Sequence, residues 1–328
     1  MTLRHTEHAP EGRPFRLLRS MLFVPANRER FILKAAEGDA DGIILDLEDS
    51  VAPAAKQGAL QEAVRALQQI HWGERTLAVR INGLESGRTY KDLIALGAEC
   101  PRLDLIILPM VESPDHIRFA ATLLDQVERG LSRKHPIGME AIIETPLGLE
   151  RIGKIARSAS RLEALSFGAG DYAAAMHMRN RVIGGADPEY ALHPTSGGAP
   201  VPADKWHWPM ARLANACHAH GLRPRDSAYA DFKDETGFRS ACRRAAALGF
   251  QGKSAIHPVQ VALCNEVFSP TPDEVAWARE VLGVLEASER EGQASATLNG
   301  GMVDLANARM AKHILTMTQA ISERLNLR

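Results

Sequence analysis

Two carboxylates close apolar runs in this chain: Glu144 follows Ala141-Ile142-Ile143, and Asp171 follows Leu165-Ser166-Phe167 after a Gly-Ala-Gly. A carboxylate at the end of a buried strand is costly unless a cation or a donor faces it. Other apolar runs end in polar residues too: Asp46, Glu48 and Asp49, then Arg80 and Asn82, then His257. Converging carboxylates of this kind admit three chemistries. A hard divalent cation such as Mg2+ takes one or two carboxylates and leaves its other positions to water and substrate. A glycosidase-like acid pair is a second reading, but sugar sites use aromatic platforms and only 5% of this chain is aromatic. The third is structural, with each acid capping a helix or pairing with an arginine. Arg80 carries a planar fork that suits a carboxylate, an enolate oxygen or a phosphate. Its plain alternative is an ion pair with Asp46 or Glu48. His257 precedes Pro258, so a sharp turn accounts for it as well as catalysis does. Trp206-His207-Trp208 either closes a pocket or packs a loop down.

These residues need elements that bring them to one place. The pattern predicts strands at Ser20–Pro25, Gly42–Leu47, Leu77–Ile81, Leu105–Leu108, Glu140–Ile143 and Ala164–Phe167, and two more around Gly221–Pro224 and Gly252–Ile256. Amphipathic stretches lie between them, among them Arg28–Glu37, Lys56–Gln69, Pro114–Arg129, Leu149–Ser158, Pro209–His220 and Thr236–Leu248. Several strands are apolar throughout, as parallel strands covered on both faces must be. Eight strand–helix units predict a (β/α)8 TIM barrel. The runner-up, a doubly wound open sheet, lacks its usual G-x-G-x-x-G after the first strand. In such a barrel chemistry sits at the C-terminal strand ends, where all of the polar residues above fall.

The expected organisation is a loose N-terminal arm over residues 1–18, a barrel over 19–270, and C-terminal helices with a lid over 271–328. Residues 178–208 are rich in Gly and Pro and too long for a plain connection. Other classes are excluded by composition. A net charge of −1 over 328 residues, with short basic clusters lacking interleaved aromatics, argues against nucleic acid. No apolar run is long enough to span a membrane, and the polar N-terminus has no secretory h-region. Cys100, Cys217, Cys242 and Cys264 are far apart and read as buried thiols in a reducing compartment, so the expected location is the cytoplasm.

With those positions in view, seven stretches in order carry a resemblance: SMLFVPANRERFILKA, DGIILDLEDSVAPAAK, VRINGLESG, AIIETPLGLERI, FGAGDYAAAM, GFQGKSAIHPVQVALCNEVFSPT and GGMVDLANARMAKHIL. The chain resembles the citrate lyase beta-subunit-like proteins of the class II pyruvate aldolase superfamily. Within it, IGGADPEY, DKWHWPMA and DFKDETGFR are similar to the malyl-CoA/β-methylmalyl-CoA lyases. The resemblance runs from about Arg19 to the end of the sequence. It implies Mg2+, with Mn2+ as a substitute, held by Glu144 and Asp171. Arg80 would hold an oxygen of the acceptor acid or the enolate, and Glu48 a water on the metal or Arg80 itself. Coenzyme A would meet Phe23, Val24, Arg28 and Lys34 on one side, Ile256 and His257 on another, and Gly170 beside Asp171. Asp304 in the tail would reach the active site of a neighbouring subunit as the acid/base group, so a homotrimer or homohexamer is implied.

What the resemblance implies for function is reversible cleavage of a 3-hydroxyacyl-CoA into an acyl-CoA and a small 2-oxo acid. A malyl-CoA thioesterase, a citramalyl-CoA lyase and an inactive regulatory subunit remain as alternatives. Two positions depart from the pattern. Many relatives read Leu-Pro-Lys-Val where this chain has Leu108-Pro109-Met110-Val111, so a cation is lost; and His177 stands where close relatives often carry a small residue.

Overall fold

The structure, a computed structural model, describes residues 14–131, 133, 135–179, 182–187, 189–192, 194–195 and 197–326. The chain divides into two compact units, with the boundary between Asn265 and Glu266. That lies a few residues before the boundary expected at 270/271.

Eight parallel strands build the first unit. They are β1 (Ser20–Pro25), β2 (Gly42–Asp46), β3 (Thr76–Arg80), β4 (Leu105–Leu108), β5 (Gly138–Ile143), β6 (Leu162–Phe167), β9 (Arg223–Arg225) and β10 (Lys253–Ala255). Each pairs with its neighbour in the order β10-β1-β2-β3-β4-β5-β6-β9, and a parallel bridge between Asp226 and Lys253 joins the two ends. This is the (β/α)8 barrel expected of the sequence. The seam is tied by side chains as well. Lys253 reaches Asp226 at 2.6 Å, and buried Arg225 pairs with Glu140 of β5 and bonds Ser254. Buried ions of this kind are tolerated because each has its partner.

Around the strands lie α1 (Glu29–Glu37), α2 (Lys56–Gln69), α3 (Thr89–Glu99), α4 (Pro114–Glu128), the short pair α5 (Pro146–Glu150) and α6 (Ile152–Ile155), α7 (Ala169–Ala175), α8 (His207–Ala219), α9 (Glu235–Ala247) and α10 (Pro258–Val267). The helix expected over Leu149–Ser158 is thus split. Thr145 caps α5 by accepting from the Gly148 amide at 3.0 Å, and Pro146 opens it, so the helix begins as soon as β5 ends. The barrel interior packs Leu18, Met21, Ile44, Ala78, Leu105, Ile107 and Ile142, with Phe23 on the same cluster. Strand alternation therefore sends residues 142 and 144 inward, and the inward position after Ile142 is a carboxylate.

Two expectations are revised. Residues 1–13 of the arm lie outside the described residues, but the rest of it is docked: Arg16 pairs with Asp104 and Glu163, both at 2.9 Å, and Leu17 and Leu18 are buried. The long segment 178–208 carries a short antiparallel pair, β7 (Ala191–Leu192) with β8 (Val201–Pro202). Trp206 resolves its two readings by packing the loop down: its indole N–H donates to the Gly185 carbonyl at 2.8 Å and its ring meets Phe167 edge-on. Trp208 stays exposed beside Arg212.

The second unit has its own small core of Ala278, Val281, Val303 and Ala311. It holds α11 (Pro272–Arg290), the hairpin β11 (Ala296–Leu298) and β12 (Gly301–Val303), and α12 (Leu305–Asn326). Asn299 and Gly300, both at positive φ, turn the hairpin. Such a turn needs two left-handed residues, which Asn-Gly supplies.

Candidate active site

Strand register places the acids. Asp46 lies directly across from Arg80 between β2 and β3, so the pair meets at the mouth without distortion. Arg80 Nε and Nη2 donate to the two Asp46 oxygens at 2.6 and 2.8 Å. Its Nη1 reaches Glu48 at 2.9 Å and Asp49 at 3.0 Å. The guanidinium also lies over the Phe23 ring, 5.0 Å from its centroid. The ion pair that the sequence offered as Arg80's plain alternative is thus present. It still leaves one Nη2 N–H without a protein acceptor among the described residues. Although burial pushes the Asp46 carboxyl up, the hydrogen bond and charge of Arg80 more than offset this and hold it below the usual range. Burial would lower Arg80, but the three acids raise it.

Glu144 and Asp171 converge. The two carboxyls lie close enough to perturb each other's ionisation, and the Met110 amide donates to Glu144 Oε1 at 2.6 Å. Burial pushes Glu144 up to about 8, and the charges of Asp171 and Glu48 add to that. Asp171 is raised as well, by burial first and then by Asp49. Glu48, pushed up by burial to about 7, faces the same group of charges, and Arg80 only partly restores it. This concentration of carboxyls costs free energy unless positive charge enters. Gly168 makes the convergence possible. A Cβ at that position would strike Glu144 itself, so only glycine lets the carboxyl lie across the start of α7.

The donor set fits one kind of cation. Among the described residues no cluster of three or more His, Cys, Asp or Glu forms a complete cage. Two hard carboxylate oxygens in a mouth open to water match Mg2+, which keeps several positions for water and substrate. Sulfur-loving metals have no ligand here, since all four cysteines are buried away as free thiols.

The remaining expected positions divide. Phe23 lies at the mouth under Arg80. Val24 is buried at 3% exposure. Arg28 and Lys34 are exposed at the start and in the last turn of α1. Ile256 and His257 follow β10, the strand hydrogen-bonded to β1, so these two patches are neighbours. His257 stacks on Phe232 with centroids 4.7 Å apart. Gly170 sits in the first turn of α7 next to Asp171. Asp304 belongs to the second unit, where it opens α12 by accepting from the Ala306 amide at 2.8 Å. Asp304 therefore has a structural role within its own unit.

Three participants were not singled out from the sequence. Gly168 had a signal, the Gly-Ala-Gly before Asp171. Lys56 donates to the Leu47 and Glu48 carbonyls at 2.8 and 2.6 Å and pins the acid loop. The Met110 amide had no signal at all, because a main-chain donor carries no residue type. Beside these residues a cavity of about 490 Å3 opens between the ends of β2, β3 and β4, with Glu48, Lys56, Asn82 and Met110 in its wall.

The sequence matches the HpcH/HpaI aldolase/citrate lyase family over residues 19–258. It is 40% identical over 311 residues to the L-malyl-CoA/beta-methylmalyl-CoA lyase of Cereibacter sphaeroides, covering 94% of this chain and 97% of that protein. It is 29% identical over 306 residues to the human mitochondrial citramalyl-CoA lyase, covering 93% and 87%. Among solved structures, CitE of Mycobacterium tuberculosis in complex with magnesium, acetoacetate and coenzyme A aligns with a TM-score of 0.67. That pair shares 28% identity over 91% of this chain and 97% of the other.

Proposed function

The chain belongs to the HpcH/HpaI aldolase/citrate lyase family, and from that premise we propose that it is a reversible, Mg2+-dependent carbon–carbon lyase. Its substrate is a 3-hydroxyacyl-CoA such as malyl-CoA or β-methylmalyl-CoA, cleaved to glyoxylate and acetyl-CoA or propionyl-CoA. The observation that carries this reading is the convergence of Glu144 and Asp171 beside the Arg80 cluster at one end of the barrel.

Glu144 and Asp171 would hold the cation, which supplies Lewis acidity and a template for the small acid. Arg80, fixed by Asp46 and supported by Phe23, presents its remaining N–H toward an oxygen that gains charge. In the lyase direction a base takes the hydroxyl proton. The carbon–carbon bond breaks, its electron pair passes into the thioester as an enolate, and protonation at carbon gives the acyl-CoA. Asp304 of a neighbouring subunit is the base in this reading, and Glu48 orients Arg80 or a water. Coenzyme A lies along Phe23, Val24, Arg28, Lys34, Gly170, Ile256 and His257. The assembly is a homotrimer or homohexamer, and the protein works in the cytoplasm, with Mn2+ able to replace Mg2+.

Incubation with malyl-CoA and Mg2+ tests the reading. Glyoxylate plus acetyl-CoA is the expected product pair. Malate plus free CoA would make the protein a thioesterase instead. Citramalyl-CoA belongs in the same assay, because a 29% identical relative is a citramalyl-CoA lyase.

A further inference from the structure

Met110 is one of three non-glycine residues with positive φ among the described residues, at 52°. This left-handed backbone is unfavourable for a residue with a side chain, and a glycine would adopt it freely. Strained main chain persists where its surroundings over-determine it, and it concentrates at functional sites. At Met110 the surroundings are explicit. The next residue, Val111, donates its amide to the Ile142 carbonyl at 3.2 Å, which ties the end of β4 to β5. The Met110 amide is thereby aimed at Glu144 Oε1, 2.6 Å away. Met110's side chain is 42% exposed and forms part of the cavity wall, so side-chain burial does not explain the conformation.

We propose that the main-chain N–H of Met110 positions Glu144 as a one-oxygen metal ligand, and so sets both the affinity of the site and its preference for Mg2+ over Ca2+. The argument rests on the reading that Glu144 and Asp171 hold the cation. Oε1 is engaged by the amide, whereas Oε2 is the oxygen that lies over Gly168 at the start of α7, the helix that carries Asp171. Oε2, which no amide engages, is then the oxygen best placed to face a shared ion. Mg2+ demands near-octahedral geometry with single-oxygen ligands, whereas Ca2+ accepts bidentate carboxylates and higher coordination. A carboxylate with one oxygen already accepting and oriented by an amide is biased against chelating through both. Met110 is therefore a positioning residue that acts through Glu144 with its main chain.

Mn2+ binding followed by electron paramagnetic resonance, with Mg2+ and Ca2+ as competitors, tests this on the full chain without turnover. Met110→Pro removes the N–H and forbids positive φ. Its Mn2+ Kd should rise by about 10- to 100-fold, the usual effect of losing a group that orients a ligand, and its Mg2+/Ca2+ preference should shrink. Met110→Gly keeps the amide and adopts positive φ without strain, so it should bind at least as tightly as the parent. Met110→Val, whose β-branch resists the left-handed region, should bind more weakly than Met110→Gly. A folded Met110→Pro protein with the parent's affinity and selectivity overturns the proposal. If Met110→Pro does not fold, equal affinities and selectivities for the Gly and Val variants overturn it. A parent that binds no Mn2+ would instead overturn the metal reading itself.

Discussion

Arg80 is held by both oxygens of Asp46 while a third nitrogen meets Glu48 and Asp49. A lysine at this position keeps the charge but cannot span that arrangement or leave an N–H directed at a planar oxygen. Arg80→Lys should lower kcat on the order of 100-fold, the scale of losing one transition-state donor. A variant near parent activity would limit Arg80 to holding the acid loop. Asp171→Ala should abolish turnover and Mn2+ binding together while circular dichroism stays unchanged. The raised Glu144 carboxyl gives a pH signature. Without a cation its folded value is about 8, against an ordinary 4.5. The folded protein then holds a proton that the unfolded chain has released, so the stability of the metal-free protein falls as pH rises between those values. Glu48, raised to about 7, acts in the same direction. Bound Mg2+ favours the ionised form, so melting curves should show a larger Mg2+ stabilisation near pH 8 than near pH 5. Equal stabilisation at both would separate Glu144 from the metal.

At the scale of elements, the mouth depends on where strands stop and helices start. Gly168 joins β6 to α7 at the point where Glu144 arrives from β5, and a methyl group there meets the Glu144 side chain. Gly168→Ala should weaken Mn2+ binding by about tenfold or more, with the secondary structure retained. Binding at parent strength would mean that β5 and β6 can separate to admit the methyl. The loop before α8 is tethered by buried Trp206, through Gly185 and Phe167. Trp206→Ala leaves a large void and should cost about 3–5 kcal/mol in chemical denaturation. A loss of less than about 1 kcal/mol would show that the loop is not part of the folded core.

At the scale of the whole molecule, the proposal that sites are shared between subunits has a direct test. Asp304→Ala and Asp171→Ala chains, each inactive alone, should recover part of the activity when mixed under conditions that exchange subunits. An intact barrel from one chain would then meet an intact tail from another. Mixed oligomers that stay inactive would return Asp304 to the role visible in its own unit, opening α12 with its side-chain oxygen.

Much of the site was legible in the sequence because a parallel strand buried on both faces must be apolar, and its first polar residue marks its end. Asp46, Arg80, Glu144 and the approach to Asp171 all follow from that rule, and several such runs among eight strand–helix units imply a barrel with those ends on one rim. Tertiary structure alone decided the rest. Whether Arg80 met one acid or three depended on register and on the loop that Lys56 pins. The donor to Glu144 is a main-chain N–H 34 residues away, and every residue except proline has one. No residue type announces such a group. Only the pairing of β4 with β5 determines which amide arrives there, and only the left-handed turn at Met110 determines where it points.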